Sequence, residues 1–212
     1  MAHRPLPMSM AASRCQVLLS PPIFLAAGLL IAPLTALAHV EGAAAGGFLS
    51  GLSHPVSGLD HVLAMVAVGL WGAQLGAPAI WLLPVAFPMM MALGGLLGLS
   101  GVELPAVELG IALSAVMLGA LILGAIRLPL AAALLVVGFF AVFHGHAHGT
   151  EMTAGQSAIL YSIGFVTATG LLHGLGIGMG LIHRWDAGRV ALRGAGSVVM
   201  AGGLFFLWRA LA

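Results

Sequence analysis

Charge is scarce in this sequence: 212 residues carry seven arginines, no lysine and six acids, 6% in all, where a soluble chain has roughly a quarter. With 61% hydrophobic residues and a mean hydropathy of +1.14, too little polar surface is left to cover a water-soluble globule, which excludes a soluble enzyme. A formal charge of +1 on scattered arginines excludes a nucleic-acid surface. Cys15 is the lone cysteine, so one chain builds neither an internal disulfide nor a thiolate metal cluster, and any metal site must use nitrogen and oxygen. No Walker-type phosphate loop is present, which argues against ATP drive by this chain. What remains is a set of apolar runs of membrane-spanning length and nine histidines.

Residues 1–38 read as a cleaved secretory leader: Arg4 and Arg14 precede an apolar stretch from Ile23 to Leu34, which ends in the small-x-small signature Ala36-Leu37-Ala38. Pro21, Pro22 and Pro33 suit a permanent span poorly. The mature chain, 39–212, is expected to be all-α, a polytopic membrane bundle of six transmembrane helices near 58–76, 79–99, 106–125, 128–147, 156–182 and 190–210. Backbone groups in lipid must pair internally, and about 20 helical residues cross a bilayer core. With the mature N-terminus in the periplasm, Arg127, Arg184, Arg189 and Arg193 fall on the cytoplasmic side and only Arg209 outside, as expected for a bacterial inner-membrane protein. Gly94, Gly95 and Gly98 in the second span, and Gly170, Gly174, Gly176, Gly178 and Gly180 in the fifth, predict close helix packing.

The polar residues gather in few places. His54 is expected in a loop entering the first span, with Asp60 and His61 on its first turn. Ser57 and Asp60 also have capping-box spacing, so Asp60 has a purely structural reading, which leaves His54 and His61 unexplained. In Phe143-His144-Gly145-His146-Ala147-His148-Gly149-Thr150-Glu151, a continuous helix puts His144, His148 and Glu151 on one stripe with His146 elsewhere. Gly145 and Gly149 favour a helix end here instead, with the last ligands on a turn. Glu108 lies inside the apolar run of the third span, where it must be protonated, paired or face a polar cavity, unless it simply complements the helix N-terminus. The topology gathers His54, Asp60, His61, Glu108, His144, His148 and Glu151 at one external face, as a metal entrance. His173, in the fifth span, is read either as a second ion station or proton carrier, or as an interhelical hydrogen bond. His183 reads as a solvated loop residue, and His39 beside Glu41 as a weak capture point.

His54-x5-Asp60-His61 and Phe143-His144-Gly145-x-Ala147-x-Gly149-x-Glu151 together resemble the HupE/UreJ family of bacterial metal permeases. The likeness extends over the mature chain through Gly69-Leu70-Trp71, Glu108, Gly110-Ile111-Ala112-Leu113-Ser114 and His173. The resemblance implies nickel uptake, with cobalt as the second candidate, serving hydrogenase or urease maturation. It also implies functional weight for His54, Asp60, His61, Glu108, His144 and Glu151, whereas His148 rests on spacing alone.

The leading expectation is a secondary permease, not an enzyme and without a prosthetic group, moving a divalent transition metal from periplasm to cytoplasm. Its partners are the ion and the bilayer. Imidazole and carboxylate ligands also suit zinc and iron(II) and disfavour copper(I). Passive flow and proton coupling through Glu108, Asp60 or His173 both stay open. The rival reading is an intramembrane zinc hydrolase with Asp60 or Glu151 as general acid/base. A membrane metal sensor lacks any soluble output domain or long charged tail in this sequence.

Overall fold

The computed structural model describes residues 43–151 and 157–212; the leader expected over 1–38, and His39 and Glu41, lie outside them. The elements are α1 (Ala43–Ser57), α2 (Leu59–Leu75), α3 (Ala79–Leu99), α4 (Val107–Leu123), α5 (Leu130–Thr150), α6 (Ala158–Gly180), a 3-10 turn (Leu181–Arg184) and α7 (Asp186–Leu211), with no strand among the described residues. Each of the six expected apolar segments is a helix. α2 stops at Gly76, whose φ of 82° suits glycine, just before Pro78. α7 starts at Asp186 rather than near 190, so Arg189 and Arg193 lie on its first turns.

Four helices, Ala79–Leu99, Leu130–Thr150, Ala158–Arg184 and Asp186–Leu211, are long and apolar enough to cross a membrane. Gly47–Ser57 and Leu59–Leu75 meet at an 83° bend and make a fifth crossing if taken as one broken span. The apolar α4, at 17 residues, is shorter. The chain is therefore a multi-pass membrane protein whose described residues fold into helices alone.

α1 is a departure from expectation. Its glycine-rich sequence reads as a loop, and His54 was expected there; the segment is helical because packing overrides propensity. A Cβ on Gly51 would lie 2.0 Å from the carbonyl oxygen of Tyr161, and one on Gly164 would lie 2.1 Å from that of Phe48, so α1 and α6 touch backbone to backbone.

Close approaches also fix helix directions. Gly69 of α2 meets the His173 carbonyl and Gly180 of α6 meets Leu70, so α2 and α6 run parallel. Gly145 and Gly149 of α5 meet Met91 and Gly95 of α3, again parallel. Gly119 of α4 meets Met200 of α7 and Gly203 meets Ala115 and Val116, which makes that pair antiparallel. Without a hydrophobic drive between helices in lipid, such contacts supply the packing. Gly94, Gly98, Gly176 and Gly180 serve it as expected; Gly170, Gly174 and Gly178 meet nothing and face outward, which corrects their assignment to packing.

These directions bring the starts of α2 and α4 and the ends of α1 and α5 to one end of the bundle. At the other end Trp71 Nε1 donates to the Ile126 carbonyl at 3.1 Å and Arg193 Nε to that of Leu123 at 3.1 Å. The core between them is filled by Met65, Val68, Leu70, Trp71, Leu83, Phe87, Leu118 and Ile122.

Candidate metal site

Where four helix ends converge, a cavity of about 200 Å3 is lined by His54, Asp60, His61, Glu108, His148 and Glu151. The carbonyl ends of α1 and α5 favour a cation there, and the N-termini of α2 and α4 carry the carboxylates Asp60 and Glu108. One ligand atom each from His54, His148 and Glu151 lies within 4.8 Å of the others. His54 Nε2 is 3.1 Å from Glu151 Oε2, and both nitrogens of the buried His148 lack a partner.

α5 runs unbroken to Thr150, so the helix end expected near 147 from Gly145 and Gly149 is corrected: His144 and His148 share one helical stripe. The glycines serve packing instead, since a Cβ on Gly145 would lie 1.9 Å from the Met91 oxygen. His146 points to the other side, where Nε2 donates to the Val102 carbonyl at 2.7 Å.

The capping box is not formed. Ser57 Oγ donates to the His54 carbonyl at 2.7 Å, and α2 has no side-chain cap. Asp60 Oδ1 instead takes the His61 backbone N–H at 2.9 Å and faces His61 Nδ1 at 2.9 Å. A carboxylate only accepts, so Nδ1 carries a proton, and in the neutral ring the lone pair then belongs to Nε2, which is buried without a partner. A Cβ on Gly58 would lie 2.8 Å from that Asp60 oxygen, so glycine at the bend leaves room for the pair.

Behind the cavity His144 is fully buried. Ser114 Oγ donates its single hydrogen to the Ile111 carbonyl at 2.6 Å, so its 2.9 Å contact with His144 Nε2 is one in which the imidazole donates. His144 Nδ1 is left as an unpartnered lone pair. Metal-binding histidines are commonly oriented this way, one nitrogen tethered and the other free. Ser114 has no charge and sits among apolar residues, so nothing in its own chemistry singled it out in the sequence.

The rings form a row. Centroids of His54 and His148 are 4.7 Å apart, His148 and His61 4.4 Å, and His61 and His144 4.9 Å. Phe87 follows at 5.5 Å from His144, and His173 at 5.5 Å from Phe87. His148 also borders an apolar groove of about 360 Å3 between α3, α5 and α6, lined by Leu96, Leu99 and Phe165. Elsewhere, exposed Glu103 lies between α3 and α4, outside the cavity lining, and His183 Nδ1 donates to the Gly180 carbonyl at 2.8 Å.

The HupE / UreJ protein family profile matches residues 26–206. The chain is 48% identical over 175 residues to Protein HupE of Rhizobium leguminosarum bv. viciae, covering 82% of this chain and 91% of that protein. No solved structure matches it. The cavity's His54, Asp60, His61, Glu108, His148 and Glu151 all fall within the matched region, and the chain belongs to the HupE/UreJ family.

Proposed function

We propose that this protein is a secondary permease that takes up a divalent transition-metal ion, nickel first and cobalt second, from periplasm to cytoplasm. The observation that carries the reading is the row of imidazoles running from an exposed carboxylate, Glu151, inward to the buried His144. A transported ion must exchange its hydration shell for ligands yet leave them again, so successive sites of few ligands suit passage better than one closed cage. His54, His148 and Glu151 form the capture group; Glu108 and Asp60 add negative charge to the same cavity. His61 and His144 offer the next lone pairs, held by Asp60 and Ser114. Imidazole with carboxylate suits nickel and cobalt.

In this reading the chain makes six crossings, the short α4 and α2 being accommodated by local thinning of the bilayer, and the cavity opens to the periplasm. Arg127, Arg184, Arg189 and Arg193 then face the cytoplasm, as the positive-inside rule requires. Membership of the HupE/UreJ family supports a role in supplying hydrogenase or urease maturation.

The test is uptake of Ni2+ and Co2+ into liposomes holding the purified protein. Metal entry dependent on His148 and Glu151 is the expected result. Absence of entry, together with one tightly held zinc and hydrolysis of a lipid or peptide, would overturn the assignment.

A further inference from the structure

We propose that His173 is an inner ligand for the transported metal, a second station beyond Phe87 that receives the ion from His144. The proposal rests on the transport reading above and adds a site to it.

His173 lies about two-thirds of the way along α6 with 2% of its surface exposed. Its tether comes from a feature of α3. In a regular helix the Pro84 carbonyl accepts the N–H of residue 88, but residue 88 is also proline and has none. The His173 ring donates to that released carbonyl. Nε2 is then a fixed, buried lone pair without a partner. This is the arrangement of His61 on Asp60 and of His144 on Ser114: one ring nitrogen held, the other bare.

A purely structural interhelical bond needs only the donating nitrogen, and burying the second one unpaired is then unfavourable. One turn earlier on the same face, Thr169 Oγ1 is equally buried and without a partner. Two buried polar atoms without partners on one stripe of the helix thus point to a ligand. The Phe87 ring, 5.5 Å from both His144 and His173 and edge-on to the latter at 87°, separates the two stations. It has no polar atom to hold an ion, so passage requires the ring to swing aside.

The experiment compares wild type, His173→Asn, Pro88→Ala and His148→Ala, each as full-length purified protein. Asn keeps a side-chain N–H for the Pro84 carbonyl but has no atom at the Nε2 position. Pro88→Ala returns the helix N–H and takes the carbonyl from His173. Co2+ titration in detergent, followed by visible absorption, reads occupancy, and Ni2+ entry into liposomes reads flux. The expected result is that His173→Asn and Pro88→Ala keep the first Co2+ equivalent and the KM for Ni2+, lose a deeper equivalent, and lower maximal flux by about tenfold or more. His148→Ala is expected to raise KM instead. Wild-type binding and flux in His173→Asn would overturn the inner station and leave the transport reading standing. Should His173→Asn fail to fold, unchanged titration and flux in Pro88→Ala would overturn it equally. Wild type that neither binds Co2+ nor admits Ni2+ removes both readings.

Discussion

Ser114→Ala is the most informative single change outside the ligands. The hydroxyl hands its hydrogen to Ile111 and accepts the Nε2 proton of His144, both residues being fully buried. Without it, His144 either leaves that N–H unpaired or moves its proton to Nδ1, where it blocks the lone pair. When the proton sits on Nδ1 and takes the bare Nε2 of the adjacent His61 ring as its acceptor, binding a metal there requires return to the orphaned tautomer, which costs roughly 1–3 kcal/mol. At about 1.4 kcal/mol per decade, affinity for the ion at this station drops about tenfold to a hundredfold. Histidine labelled with 15N reports the tautomer directly by NMR in detergent, and Ni2+ uptake reports the consequence. Ser114→Thr, which retains the hydroxyl, separates loss of the tether from disturbed packing. If Ser114→Ala leaves both the His144 tautomer and Ni2+ uptake as in wild type, the tether does not prepare this ligand.

Further expectations concern the other elements of the site. Gly145→Ala would drive a methyl to 1.9 Å from the Met91 oxygen and force α3 from α5, a loss of about 1–3 kcal/mol or more seen as a lower melting temperature in detergent; Gly174→Ala, where nothing lies within 4 Å, should melt as wild type or higher. Asp60→Asn retains an acceptor for His61 Nδ1 and should depress uptake less than Asp60→Ala, a ranking that equal defects would contradict. Glu151→Gln removes the charge facing His54 and should raise the KM for Ni2+ while sparing maximal flux. Because an imidazole binds metal only when unprotonated, Ni2+ affinity should fall as the outer pH is lowered, measured as KM across a pH series at constant potential. A KM independent of pH would argue against imidazole capture.

Sequence legibility followed the physics of each feature. The apolar segments were readable because lipid forces helices on them, and the gathering of His54, His61 and Glu151 followed from counting which helix ends share a side. α1 was not readable, because its glycines look like loop until the matching backbone of α6 is in place. The glycines of α5 misled for the same reason: Gly145 and Gly149 suggest a stop locally, yet they are where α3 lies against the helix. Asp60 was legible as one of the polar groups gathered here but not as the partner of His61, since ligand, cap and orienting group ask for the same residue at the same place. Ser114 and the Pro84 carbonyl had no distinguishing chemistry of their own, although two prolines four apart in an apolar helix do announce a free carbonyl.

The second signature segment has its spacing because it serves two neighbours at once. Successive residues of a helix step by roughly 100° around its axis, so positions four apart return to the same face and positions one apart do not. His144 and His148 therefore share the face turned to α2 and His61. Gly145 and Gly149, one residue further on, share the face turned to α3, each within clash distance of a backbone carbonyl if it bore a Cβ. The two roles are coupled: close contact with α3 holds α5 at the depth that places His148 beside His61. A change at either glycine should therefore disturb metal handling without touching a ligand, and a compensating Met91 or Gly95 substitution cannot relieve it, because the atoms it meets belong to the backbone.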